Sequence, residues 1–340
     1  RFVVDSAGYS AVSFEAPSLA TPPELVITKV ACNLLVVSSF VLMSLRFLQT
    51  CKGLVAGGLR FVSRTLRVIG ALNFSSPQPQ SVLFNGGAVV ETAGSVAVSS
   101  QFSFSASASM SIKNLGLISV TSQLSLDIAM SSWGALSISA GGALIVNSNP
   151  LCVPAACLST FTATSGVDFA SRGISGAGAL QFAYGFSFLV LQSGALNDFA
   201  GSLRFDNGLL NVSAPLTLPS PVYVELRSTT VTGTADFVVN GTVSISGGAQ
   251  FTSAAQAAAS VPRPRVVVAG EFGMSAAASA QFVGRDLVVT QSGRVALVGV
   301  QLFDGAVFDN AGTLLIDDPA VSASVSMVDY DYILNSKPFV

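Results

Sequence analysis

Along residues 101–112, "QFSFSASASMSI", apolar and hydroxyl side chains alternate almost without a break. Phe102, Phe104, Ala106, Ala108, Met110 and Ile112 share one parity, and Ser103, Ser105, Ser107, Ser109 and Ser111 share the other. A period of two belongs to the β-strand, whose successive side chains point to opposite faces. The run therefore predicts one apolar face and one hydroxyl face. It is about twice the usual strand length of roughly 5–6 residues. That length suits a chain that passes a corner while keeping its inward parity.

From "SSPQPQ" (75–80) onward the same texture continues, in short alternating runs punctuated by Gly, Asn and Ser. Phrases also return. "FNGGAVVETAGSVAVS" (84–99) and "AGGALIVNSN" (140–149) each carry Gly-Gly-Ala before an apolar run. "GAGALQF" (176–182), "SGGAQF" (246–251) and "ASAQF" (278–282) echo one another. "QSG" (192–194) with "FDNGLLNV" (205–212) returns as "QSG" (291–293) with "FDNAGTLLI" (308–316). Turn signals every 8–12 residues or so suit a solenoid, a barrel or a sandwich. Stacked coils of about 20 residues account best for the small inward residues and the glycine-marked corners. The expected fold is all-β, a parallel β-helix (β-solenoid) over most of the chain, with a β-sandwich as the alternative.

Three regions are expected: an apolar and basic N-terminal region for assembly or anchoring (1–73), the solenoid (74–317) and a C-terminal extension (318–340). No acid lies between Glu24 and Glu91. The uncharged run "VACNLLVVSSFVLMSL" (30–45) sits between Lys29 and Arg46. It predicts buried strands that meet another subunit. A membrane helix through 26–48 is the alternative, and it needs Lys29 to snorkel to reach about 20 residues.

Composition changes the picture at the surface. Only 10% of residues are charged, against about 25% in a typical soluble domain. Ser, Thr, Asn and Gly take the water side instead, which implies an outside covered by glycans or by other subunits. The net charge of −2 offers nothing to draw nucleic acid. The absence of histidine excludes Ser-His-Asp and Cys-His catalysis and His-ligated zinc. The chain starts at Arg1 and is expected to be processed or partial.

Four cysteines fit two local disulfides in a secreted chain, with Cys152 and Cys157 in "CVPAAC" and Cys32 and Cys51 upstream, although free buried thiols give the same count. Asn73, Asn211 and Asn240 head N-x-[ST] sequons and are candidate glycosylation sites. No cofactor motif is complete: Gly176-Ala177-Gly178 opens like a dinucleotide loop, but Gln181 stands where its last glycine belongs. Asp317-Asp318 and Asp329/Asp331 are the paired carboxylates, read as solvated residues with a cation or sugar site as the alternative. Arg60, Arg64 and Arg67 are structural residues or a patch for phosphate or anionic lipid, and Trp133 is a core anchor or a sugar platform.

Gly86-Gly87-Ala88-Val89 and Gly141-Gly142-Ala143-Leu144, with the two "FDN" phrases, resemble secreted right-handed β-helix proteins of the adhesin and autotransporter-passenger type. Chlamydial polymorphic outer-membrane proteins pair GGA[ILV] with FxxN. Here the first half matches, whereas Asn207 and Asn310 follow Phe205 and Phe308 by two residues. The resemblance implies an extracellular scaffold.

The expected function is an extracellular structural protein without enzyme activity or cofactor. It would be a self-associating protomer of a filament, stalk or surface coat, carrying covalent glycans. The alternatives are a monomeric adhesin that binds glycans through a Ser/Thr-rich face, and a polysaccharide lyase or hydrolase.

Overall fold

The structure is a computed structural model. It describes residues 71–83, 92–105, 115–127, 134–147, 173–183, 196–253, 262–275, 278–296 and 299–315 with their side chains, apart from Ala195, together with Val68 and Gly194. Elsewhere it describes the backbone of strands alone. Among the described residues every element is a β-strand, and the strands stack coil on coil in parallel ladders. The protein is a parallel β-solenoid. Two compact units divide it, Arg1–Leu180 and Gln181–Val340.

In the first unit a coil lays one strand on each of three faces. One coil reads Val89–Thr92, Ser95–Val98 and Phe102–Ala106, and the next reads Ser111–Asn114, Leu117–Val120 and Gln123–Asp127. Phe102 lies opposite Leu124, and Leu124 opposite Leu144, so like stacks on like from coil to coil. Phe102 is wholly buried and Phe104 nearly so, while Ser103 and Ser105 stay half-buried on the outer side. The alternation at 101–112 is thus two strands, Phe102–Ala106 and Ser111–Asn114, on successive faces.

Corners must be tight for such coils to stack. A Cβ placed on Gly116 would strike the carbonyl of Gly94, and one on Gly134 would strike the carbonyl of Gly116. This corner column is therefore built from backbone alone, as only glycine permits. Inside, Phe74 meets Phe102 and Phe104 edge-on with centroids 5.1 Å apart, an arrangement aromatic pairs prefer.

The apolar, basic region joins the same ladders. Its run 30–45 supplies the strands Cys32–Val36 and Phe40–Leu42, followed by Leu45–Phe47. Ala71–Phe74 pairs with Lys52–Val55 on one side and Ser95–Val98 on the other, so pairing passes residue 73 without a break. No helix among the described residues is long and apolar enough to cross a membrane.

The second unit also has three ladders. One, here the amide face, contains Thr229–Thr232, Gly248–Thr252, Ser279–Val283 and Gly299–Phe303. The ion-pair face contains Ser202–Asp206, Tyr223–Arg227, Thr242–Ile245 and Glu271–Met274. The valine face contains Phe237–Val239, Arg265–Val268, Asp286–Val289 and Val307–Asn310. Phe251 stacks on Phe282 of the next coil with centroids 4.9 Å apart and planes 10° from parallel. Phe205 and Phe308, equivalent in the sequence echo, occupy different faces. The "FDN" phrase recurs without marking the same corner of the coil.

Candidate functional site

Three clusters distinguish the outer wall of the second unit, and coil-to-coil register builds each. On the ion-pair face, Arg204 stands opposite Glu225 and Asp206 opposite Arg227. Asp206 Oδ2 accepts from Arg204 Nε at 2.9 Å and from Gln181 Nε2 at 3.1 Å. Ser246 Oγ donates to Glu225 Oε1 at 2.8 Å, and Arg227 Nε donates to the same carboxylate oxygen at 3.2 Å. Asp206 is buried, and its Oδ1 has no hydrogen-bond donor, with Arg227 Nε 3.7 Å away. Two cations and two anions thus cancel within the cluster. Its chemistry is that of a staple between coils.

On the valine face Asp236 receives the backbone N–H of Arg265 at 2.8 Å and its Nη2 at 2.6 Å. This bond holds the Arg265 guanidinium above its ordinary value. One coil on, Asp286 Oδ1 accepts from the backbone N–H of Val307 at 3.0 Å. Burial pushes the Asp286 carboxyl up. Behind this corner Arg285 is fully buried. Its guanidinium donates to the carbonyls of Gly233 (2.9 Å), Ala235 (3.0 Å) and Thr252 (3.2 Å). Burial lowers its pKa to about 10. Five donors in a fixed fork let one arginine tie three stretches of backbone together.

The amide face carries neither charge nor staple. Gln250, Gln281 and Gln301 stand in register on successive coils. Gln250 Nε2 donates to Gln281 Oε1 at 3.0 Å, and Gln281 Nε2 donates to Gln301 Oε1 at 2.8 Å. Beside this ladder lies a groove of about 320 Å³, lined by Ser228, Thr230, Gly248, Gln250, Ser279 and Gln281 among others. Every lining residue is uncharged. Such a groove can exchange hydrogen bonds with a polar, neutral ligand.

The residues expected to matter fall unevenly on this map. Asn73 and Asn211 are half-buried on the outer side of their strands, and Ser99 Oγ donates to Asn73 Oδ1 at 3.2 Å. Asn240 is exposed at the turn after Phe237–Val239. Cys51, Cys152 and Cys157 lie outside the described residues, as do Arg64, Trp133, Asp317, Asp318, Asp329 and Asp331. Only the backbone of Cys32 is described. Arg60 and Arg67 belong to strands of two different faces, Leu59–Val62 and Thr65–Val68. Gly176 and Gly178 sit at a coil corner, where Gly178 N donates to the carbonyl of Ile138.

The three clusters escaped the sequence reading because most of their members meet across coils, although Arg204 and Asp206, and Glu225 and Arg227, also pair two residues apart along one strand. The acids look isolated along the chain, yet Asp236 meets Arg265, and Glu271 lies 3.4 Å from Arg294, each one coil away. The glutamines did leave a signal: "GAQF", "SAQF" and "GVQL" place Gln250, Gln281 and Gln301 in the same local phrase. Compared with known proteins, the chain matches no family model, no curated protein and no solved structure.

Proposed function

We propose that this chain is an extracellular structural protein, a self-associating protomer of a filament, stalk or surface coat that carries covalent glycans. The resemblance of its Gly-Gly-Ala phrases to secreted solenoid scaffolds of the adhesin and autotransporter-passenger type supports this reading. The observation that carries the reading is the second face of the first unit. There the outward columns read Ser95, Leu117, Ala135 and Ala97, Ser119, Ser137 in register from coil to coil. None of these side chains is charged, and Leu115 and Leu117 are exposed large apolar residues.

A flat wall of small side chains lets a second copy approach closely, and leucine supplies the apolar gain. Across these three coils a charged partner finds nothing to pair with, whereas an identical neutral wall fits. The test is concentration-dependent light scattering of the full chain and of its Leu117→Lys variant. Leu117 points outward, so the lysine leaves the core untouched and circular dichroism stays unchanged. Assembly by the parent chain, and its loss in Leu117→Lys, is the expected result. A parent chain that stays monomeric at every concentration overturns the reading.

A further inference from the structure

The groove on the amide face combines four features. It is polar and uncharged. The hydroxyls of Ser228, Thr230 and Ser279 line it, and no protein partner among the described residues takes them. The amide ladder runs in one direction, so the Gln250 carbonyl at its end remains an open acceptor. The Gln281 amide, bonded on both sides, is held in place before any ligand arrives, which lowers the ordering cost of binding.

Gly248 is the fourth feature. Its φ is not in the left-handed region, and a Cβ there would meet nothing nearer than Ser279 Oγ at 3.9 Å. Unlike Gly116, whose Cβ would strike the Gly94 carbonyl, it is required neither by backbone conformation nor by packing. Its missing side chain is what opens the groove between neighbouring coils.

We propose that this groove binds a neutral, extended glycan lying along the coil axis. Successive coils are spaced by about 4.8 Å, close to the length of one sugar residue in an extended chain. The coils then present two hydroxyls (Ser228, Thr230), an amide beside the gap at Gly248 (Gln250), and a hydroxyl with an amide (Ser279, Gln281) in turn. Sugar hydroxyls both donate and accept, matching the serine, threonine and amide groups. A uronate chain finds no lining cation to neutralise it. The site is on a different unit from the self-association wall, so it stands whether or not the chain assembles.

The test is titration calorimetry of the full chain with soluble neutral oligosaccharides (glucan, mannan and xylan series) and acidic ones (oligogalacturonate and alginate series). Three variants accompany it. Gly248→Leu fills the groove, Gln281→Leu breaks the ladder at its centre, and Thr217→Leu alters an exposed position on the valine face. At least one neutral series is expected to bind, with affinity that barely changes with salt. Gly248→Leu and Gln281→Leu should weaken binding about tenfold or more, as the loss of one or two hydrogen bonds does. Thr217→Leu should leave it unchanged. Three results each overturn the proposal: no neutral series binds, only acidic series bind, or Gly248→Leu binds as the parent chain does.

Discussion

Arg285 buries its whole guanidinium just before the strand Asp286–Val289, and among the described residues no carboxylate is in ion-pair contact with it. Three backbone carbonyls hold it. An ammonium group is a compact point donor and cannot span the same fork. Arg285→Lys should therefore leave at least one buried carbonyl unsatisfied and cost about 1–3 kcal/mol, read as a lower midpoint in urea. An unchanged midpoint would mean that water replaces the missing donors.

Its neighbour Asp286 offers a pH test. Burial is the largest cause that holds this carboxyl above the ordinary carboxylate value, against the opposing pull of the Val307 N–H first and then of Arg263 and Arg265. The native chain thus keeps this proton to higher pH than the unfolded chain does. Its contribution to stability is whole below the ordinary value and is lost as pH rises through the raised one. Asp286→Asn keeps an oxygen for the Val307 N–H and removes the charge. The variant should melt higher than the parent at neutral pH, with the difference shrinking as acid protonates Asp286. A lower melting temperature at neutral pH would show that the arginines outweigh burial.

At the scale of the strand and the corner, stacking decides what the sequence can carry. Gly116→Ala forces a methyl against the Gly94 carbonyl, so a corner must open. The expected cost is about 1–3 kcal/mol, and amide exchange should quicken in the strands Ser95–Val98 and Leu117–Val120. Phe251 meets Phe237, Phe272 and Phe282. Phe251→Ala should cost about 3–5 kcal/mol, whereas a solvent-side change such as Thr217→Ala should stay within about 0.5 kcal/mol. Differential scanning calorimetry distinguishes the two.

The period-two pattern made these strands legible, because inward Phe102 and Phe104 and outward Ser103 and Ser105 differ so sharply in chemistry. What it could not carry is register. Asp236 and Arg265 are 29 residues apart yet bonded, while Glu225 meets Ser246 at a separation of 21. Coil length varies, so no fixed offset in the sequence announces such pairs. The "FDN" echo drifts for the same reason, with Phe205 and Phe308 on different faces.

At the scale of the whole molecule, a solenoid converts a sequence of weak side chains into continuous walls. Ser119 aligned with Ser137 is one unit of such a wall, and Gln250 aligned with Gln281 and Gln301 is another. In the second unit, ion pairs that cross coils balance charge on the described residues, so the walls there differ in texture more than in potential. Asn240, exposed at a turn, should be the most fully glycosylated sequon if the chain is secreted. Peptide mass spectrometry of natively isolated material checks this, and a bare Asn240 beside an occupied Asn211 would contradict it.

On the proposed reading these walls serve assembly. Electron microscopy of the natively purified protein tests it most directly. Ordered filaments or sheets, absent in Leu117→Lys, are the predicted result. Discrete particles of single-chain size, unchanged across concentration and identical in the variant, would contradict it.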